Sequence, residues 1–233
     1  MVRPRVLITG FGPFPGVADN PSAWLAETLA EQRRGSEFKL DARILPTEWE
    51  NVALIPRLYR ALQPHAMIHF GVSERAAAIS IERSAHNRVA RQADARGAMP
   101  RGRTIREGAP SRFDTPFPAA ALAAHLRRSG VAARTSRSAG AYLCNFLYYH
   151  SLNWAFRQET VPPVLFVHIP PLTKKRGPFN REALLHAAGE TLRFVLRYSN
   201  GQGPLKTSRG LPSRGEPVLK DACKCVSVAA RCC

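Results

Sequence analysis

Cys144 stands apart from the other cysteines, in the body of the chain, where it opens an apolar helical stretch running to Phe156. A thiol at a helix N-terminus is biased toward its ionised form and lies beside backbone N–H groups that can hold a developing oxyanion. His168 sits near the end of a buried-strand segment, VLFVHI, at the edge where open α/β sheets gather their active sites. Glu82 closes the apolar run AAISIE, where a carboxylate needs a partner. A Cys, a His and an acid are what thiol acyl transfer requires. The imidazole takes the thiol proton and later protonates the leaving amine, and the acid fixes the imidazole tautomer. Each residue also has a plainer reading: Cys144 as buried filler, His168 as a structural strand end, Glu82 as the partner of a nearby Arg. Spacing alone does not bring the three together.

The elements around them read as alternating strands and helices. Arg5 to Phe11 is apolar and β-branched, a buried strand, and it breaks into the Gly/Pro loop GFGPFPGVADNPS, which ends in a helix-start signal. A helix is predicted from Ser22 to about Arg34, and a strand from Phe38 to Leu45. Helical spacing of Val52, Ile55, Leu58 and Leu62 marks the region from Trp49 to Leu62, with Pro56 forcing a kink or a fresh start. Ala66 to Val72 is a third buried strand and Ala77 to Glu82 a short one. The polar stretch from Arg88 to Arg112 lacks periodicity, and a loop of that length is usually functional or mobile. A helix (Pro118 to Arg128), a strand (Ala132 to Ser136), the Cys144 helix, the Val164 to Ile169 strand and a last amphipathic helix (Arg181 to Tyr198) complete the pattern. This order predicts a single-domain, three-layer α/β/α sandwich around a mostly parallel, twisted sheet. Residues 1–198 form the expected catalytic domain, and residues 199–233 a basic tail without the composition to fold.

Composition narrows the function classes. The chain has 233 residues, enough for one α/β domain, and no apolar run long enough to span a membrane. The N-terminus lacks the apolar region of a signal peptide, so a cytoplasmic location is expected. The formal charge of +17 raises a nucleic-acid-binding reading through the Arg83 to Arg112 stretch and the tail. Yet the Arg residues are scattered and not interleaved with aromatics that would stack on bases. Cys223, Cys225, Cys232 and Cys233 crowd the end of the chain with spacings too short for the usual zinc pairs and no His among them. They form neither a disulfide framework nor an evident metal site. The Gly-rich GFGPFPG loop lacks the Lys and Ser/Thr of a phosphate loop.

Five ordered segments resemble the pyroglutamyl peptidase I family. TGFGPFPGVADNPS is similar to its TGF-x-PFGG...NPS loop, LPTEWENV to its LP-T/V-x-F/W segment, and ISIERSAHN to its I-x-x-ER-x-x-x-N stretch. SAGAYLCNFLYY carries the SAG-x-Y/F-x-CN nucleophile motif and FVHIPPL the H-I/V-P motif. The likeness runs from about Val6 to Pro171. It implies a cysteine peptidase that releases N-terminal pyroglutamate from peptides, with Glu82, Cys144 and His168 as the catalytic triad and no metal or organic cofactor. It implies Phe11 and Phe14 as the walls of a lactam pocket, with Thr47 and Arg96 as further substrate-binding positions. An aromatic sandwich suits a flat, uncharged ring, although two loop phenylalanines plugging the core is compatible with the same sequence. Family members are often homotetramers, so that state is also implied.

The chain departs from the pattern in three places. Pro15 replaces the first Gly of PFGG. GVSERA stands for the GQAGGR of many members, keeping Gly71 and moving Arg75 one position early. The Asp-Ala-Arg that many members carry about ten residues after the triad Glu appears here as Asp94, Ala95 and Arg96, a few positions late. An inactive homologue whose pocket is spoiled by Pro15 and the altered GVSERA segment is one rival reading, and a basic nucleic-acid-binding protein is another.

Overall fold

The computed structural model describes residues 3–14, 16–32, 38–172 and 179–201. Pro15 and the tail beyond residue 201, with its four cysteines, lie outside the described residues.

Six strands form one sheet in the order β2-β1-β3-β8-β4-β7. They are β1 (Arg5–Phe11), β2 (Lys39–Leu45), β3 (Ala66–Val72), β4 (Ile79–Glu82), β7 (Ala133–Ser136) and β8 (Val164–Ile169). A two-stranded antiparallel pair, β5 (Ser84–His86) and β6 (Arg112–Asp114), stands outside it. β1, β2, β3 and β8 are mutually parallel, while β4 runs antiparallel to β8 and parallel to β7. The mostly parallel α/β/α sandwich expected from the sequence is what forms. The antiparallel placement of β4 was not anticipated, because strand patterning carries no direction.

Period-2 alternation sorts side chains between the two faces. Val6, Ile8, Ile68, Phe70, Ile79, Ile81, Leu165 and Val167 join a core with helices α1 (Pro21–Gln32), α4 (Ala119–Arg128) and α6 (Arg181–Ser199). Leu7, Phe11, Met67, Val164 and Phe166 face the other way, onto α2 (Trp49–Ala53), α3 (Ile55–Leu62) and α5 (Leu143–Ala155). Pro56 does start a fresh helix: it occupies the first turn of α3, where its missing N–H costs nothing. Among the described residues no helix is long and apolar enough to cross a membrane.

Gly10 fixes how closely α1 approaches β1. A Cβ there would run into the backbone carbonyl of Ser22, which cannot yield as a side chain would. Gly10→Ala is expected to destabilise the fold by about 3 kcal/mol, the upper part of the range for overpacking. A urea denaturation midpoint reads it directly.

The stretch from Arg88 to Arg112 has no regular structure of its own, yet it is tied down throughout. Asn87 accepts from the amides of Ile105 and Arg106 (both 2.9 Å) and donates to the carbonyls of Arg106 (2.7 Å) and Ala109 (3.2 Å). The buried Asp94 carboxylate accepts from the amides of Trp49 (3.0 Å), Arg96 (2.9 Å) and Ala98 (2.9 Å). Burial opposes ionisation of Asp94, but these bonds and the Arg96 charge prevail and hold its pKa below the ordinary value. The loop is thereby laid along α2 and the start of α5.

Candidate active site

Cys144 is the second residue of α5 and is a partly exposed residue. The first-turn amides of a helix have no carbonyl partner within it. Tyr142, the cap residue, supplies no side-chain acceptor for them. Those N–H groups thus remain available beside the thiol. The next residue, Asn145, is fully buried; it accepts from the His86 amide (2.8 Å) and donates to the carbonyls of His86 (2.8 Å) and Arg88 (3.1 Å). It clamps the helix start to β5. Asn145→Ala leaves three partly buried backbone groups unpaired and is expected to cost about 3 kcal/mol of stability, measurable by thermal and urea unfolding.

His168 and Glu82 share the α5-side face of the sheet. Ser80 pairs with His168 across the antiparallel β4–β8 ladder, and Glu82 lies two residues further along the same face of β4. This diagonal places His168 Nδ1 2.8 Å from Glu82 Oε1. Both side chains are buried, and Tyr148 on α5 donates its hydroxyl to the Glu82 backbone carbonyl at 2.9 Å. Glu82 Oε2 is buried without a hydrogen-bond partner among the described residues. Cys144 also lies close to the His168 imidazole and favours its charged form. Burial opposes the imidazolium, but Cys144 and Glu82 together outweigh it and raise the His168 pKa to about 9. His168 and Glu82 are thus paired, with Cys144 close to the imidazole.

A cavity of about 460 Å³ opens beside Cys144, lined among others by Phe11, Phe14, Asn20, Thr47, Gln92 and Tyr142. Phe11 serves twice, as a buried core residue and as a cavity wall. Thr47 and Asn20 both donate to the Gly12 carbonyl, at 3.0 and 2.9 Å, so they clasp the loop that carries the two phenylalanines. Asn20 also accepts from the Ser22 amide (3.1 Å) and hydroxyl (2.8 Å), which holds the loop to the start of α1. Thr47→Val removes one of the two donors to Gly12 while keeping the side-chain volume. Its expected effect on substrate turnover is a rise in KM by about fivefold, the worth of one modest hydrogen bond. Steady-state kinetics should show kcat nearly unchanged and Thr47→Ser close to the parent.

Not every expected position converges on the cavity. The Arg96 side chain is 74% exposed and faces Glu48 at 3.7 Å, outside the cavity lining, because the Asp94 turn directs it away. Gln92 lines the cavity instead, and so do Val72, Ser73, Glu74 and Arg75 of the divergent GVSERA segment. Sequence reasoning singled out none of Asn145, Tyr148, Asn20 or Gln92 as site residues. An Asn in the first turn of an otherwise apolar helix was the available signal for Asn145. His69, on the same face of β3, is a different kind of histidine. It is fully buried, paired with Thr9 (2.8 Å), and burial alone lowers its pKa to about 3.

A thiol in contact with a buried imidazole that leans on a carboxylate, set at one edge of an α/β/α sandwich, is the equipment of a cysteine hydrolase. The comparisons narrow the class. The pyroglutamyl peptidase family model matches residues 4–176, and the chain belongs to that family. The pyrrolidone-carboxylate peptidase of Gloeobacter violaceus is 37% identical over 193 residues, covering 82% of this chain and 93% of the relative. Human pyroglutamyl-peptidase 1 is 32% identical over 211 residues, covering 87% and 97% of the two chains. The solved structure of pyrrolidone carboxyl peptidase from Thermococcus litoralis superposes with a TM-score of 0.77 at 27% identity, covering 88% of this chain and all of that one.

Proposed function

We propose that this chain is a cysteine peptidase that hydrolyses the amide bond after an N-terminal pyroglutamyl residue, with Cys144 as nucleophile. The observation that carries this reading is the Cys144–His168–Glu82 row beside an aromatic-walled cavity. The pyrrolidone ring lies against Phe11 and Phe14, which bring the exocyclic acyl carbon of the amide to be cleaved to the thiol. The lactam is neutral, whereas a free N-terminal Glu or Gln carries an ammonium that this pocket would desolvate without a partner. That sets the substrate class.

Sulfur attacks the carbonyl, and the oxyanion is held by first-turn N–H groups of α5. His168, protonated beside the thiol, delivers its proton to the leaving amine and so releases the shortened peptide. Glu82 holds the Nδ1 proton and keeps Nε2 directed at the reaction. The same imidazole then takes a proton from water, which hydrolyses the thioester to free pyroglutamate and returns the thiol. Every group in the cycle belongs to the chain itself. A nucleophile of this kind needs a reducing compartment, which supports a cytoplasmic location. The homotetramer implied by family resemblance is a separate proposal, checked by light scattering.

The test is release of a fluorescent amine from a pyroglutamyl amide in the presence of reductant. Turnover is expected for that substrate and none for the matching glutamyl and prolyl amides. A folded protein that leaves the pyroglutamyl amide intact, or that cleaves all three alike, refutes the reading.

A further inference from the structure

Gly71 lies where the nucleophile, its base and an immovable ring meet. It pairs with His168 across the parallel β3–β8 ladder and presents its face to α5. A Cβ at this position would come within 2.9 Å of Phe166 Cζ and 3.0 Å of both Phe166 Cε1 and Cys144 Sγ. Its backbone does not call for glycine, since Gly71 is absent from the positive-φ residues. What the position needs is empty space. The Phe166 ring has no freedom to provide it, being fully buried and packed on the rings of His168 (4.9 Å), Tyr148 (5.8 Å) and His69 (6.2 Å). The thiol is the softer neighbour. Rotation about its Cα–Cβ bond takes Sγ away from the intruding methyl, and therefore away from its present place beside His168.

We infer that Gly71 is a positioning residue for Cys144: the absence of a side chain at 71 keeps Sγ seated against the sheet and within reach of the His168 imidazole. The inference rests on Cys144 being the nucleophile, as proposed above, but concerns a position given no role there.

The experiment compares the full chain with Gly71→Ala, Phe166→Leu and the Gly71→Ala/Phe166→Leu pair. For Gly71→Ala, kcat on a pyroglutamyl amide is expected to fall about 100-fold, the usual consequence of misplacing a reacting atom by about 1 Å. KM should stay within about threefold, because the aromatic walls are untouched. The double variant separates the two contacts, since leucine removes the ring atoms that the methyl would strike. If Sγ is what matters, the double variant melts like Phe166→Leu yet stays about 100-fold below it in kcat. Recovery of the double variant to the kcat of Phe166→Leu overturns the inference, as does a Gly71→Ala enzyme within about threefold of the parent kcat. Should Gly71→Ala alone not fold, the double variant against Phe166→Leu decides. The rate of Cys144 alkylation by iodoacetamide, followed by mass spectrometry, gives a readout independent of turnover. A parent that cleaves nothing refutes the peptidase reading, whereas alkylation slowed by Gly71→Ala still supports the positioning role. Unchanged alkylation overturns it.

Discussion

Replacing Cys144 with alanine is expected to lower kcat on a pyroglutamyl amide by about 10⁵-fold or more, to the floor of the assay. No other thiol stands beside the His168 imidazole among the described residues, and no other described cysteine exists to substitute for it. The change removes one sulfur from a partly exposed helix start, so the fold should persist, with an unaltered far-ultraviolet spectrum. The aromatic walls at Phe11 and Phe14 also persist, and free pyroglutamate should bind the variant about as well as the parent. Retained product binding with lost turnover separates a missing nucleophile from a collapsed pocket. Cys144→Ser tests the same point from the other side: a hydroxyl ionises far less readily than a thiol and should recover little. Residual activity of Cys144→Ala above about one per cent of the parent would assign the nucleophile elsewhere.

The second large effect is at Glu82. Glu82→Gln keeps the shape and can keep a hydrogen bond to Nδ1, but it removes the negative charge that helps hold the proton on His168. Burial then weighs more heavily, and the His168 pKa falls from its raised position. A loss of about 10³-fold in kcat is expected, in line with removing the orienting acid of such a triad. The pH dependence of stability provides an independent check. In the unfolded chain His168 releases its proton near 6.5, but in the folded protein it keeps it to about 9. The folded state therefore binds more protons between those values. This contribution to stability is fully present below about 6.5 and is lost as pH rises through about 9. Urea midpoints of the parent should decline across that window, and those of Glu82→Gln should decline less. Equal slopes would mean that Glu82 does not hold the imidazolium.

The sequence was legible where local chemistry decides the outcome. Buried β-branched runs gave β1, β3 and β8 with their observed bounds, and Pro56 gave the start of α3. Residue types marked Cys144, His168 and Glu82 as able to act together, and the family motifs ordered them. What stayed hidden depends on contacts between distant residues. The direction of β4 is set by its pairing with β8, and no periodicity encodes that. The stretch around Asp94 reads as structureless because its order comes from side-chain caps on backbone amides, not from repeating apolar positions. The fate of Arg96 follows from the same turn. The Asp-Ala-Arg resemblance placed it near the chemistry although it falls a few positions late, whereas the Asp94 carboxylate bends the backbone and turns the guanidinium toward Glu48.

The antiparallel insertion of β4 has a consequence for how the protein is made. Among the described residues β8 is the last strand in sequence, yet it occupies the middle of the sheet, between β3 and β4. His168 and Glu82 are 86 residues apart in sequence, and their contact waits on that final strand. Such long-range closure is entropically slow and comes late in folding. A ribosome-bound chain that has already exposed Cys144 thus carries a sulfur with no base beside it. The His168–Glu82 pair therefore forms only once β8 has joined the sheet beside β4.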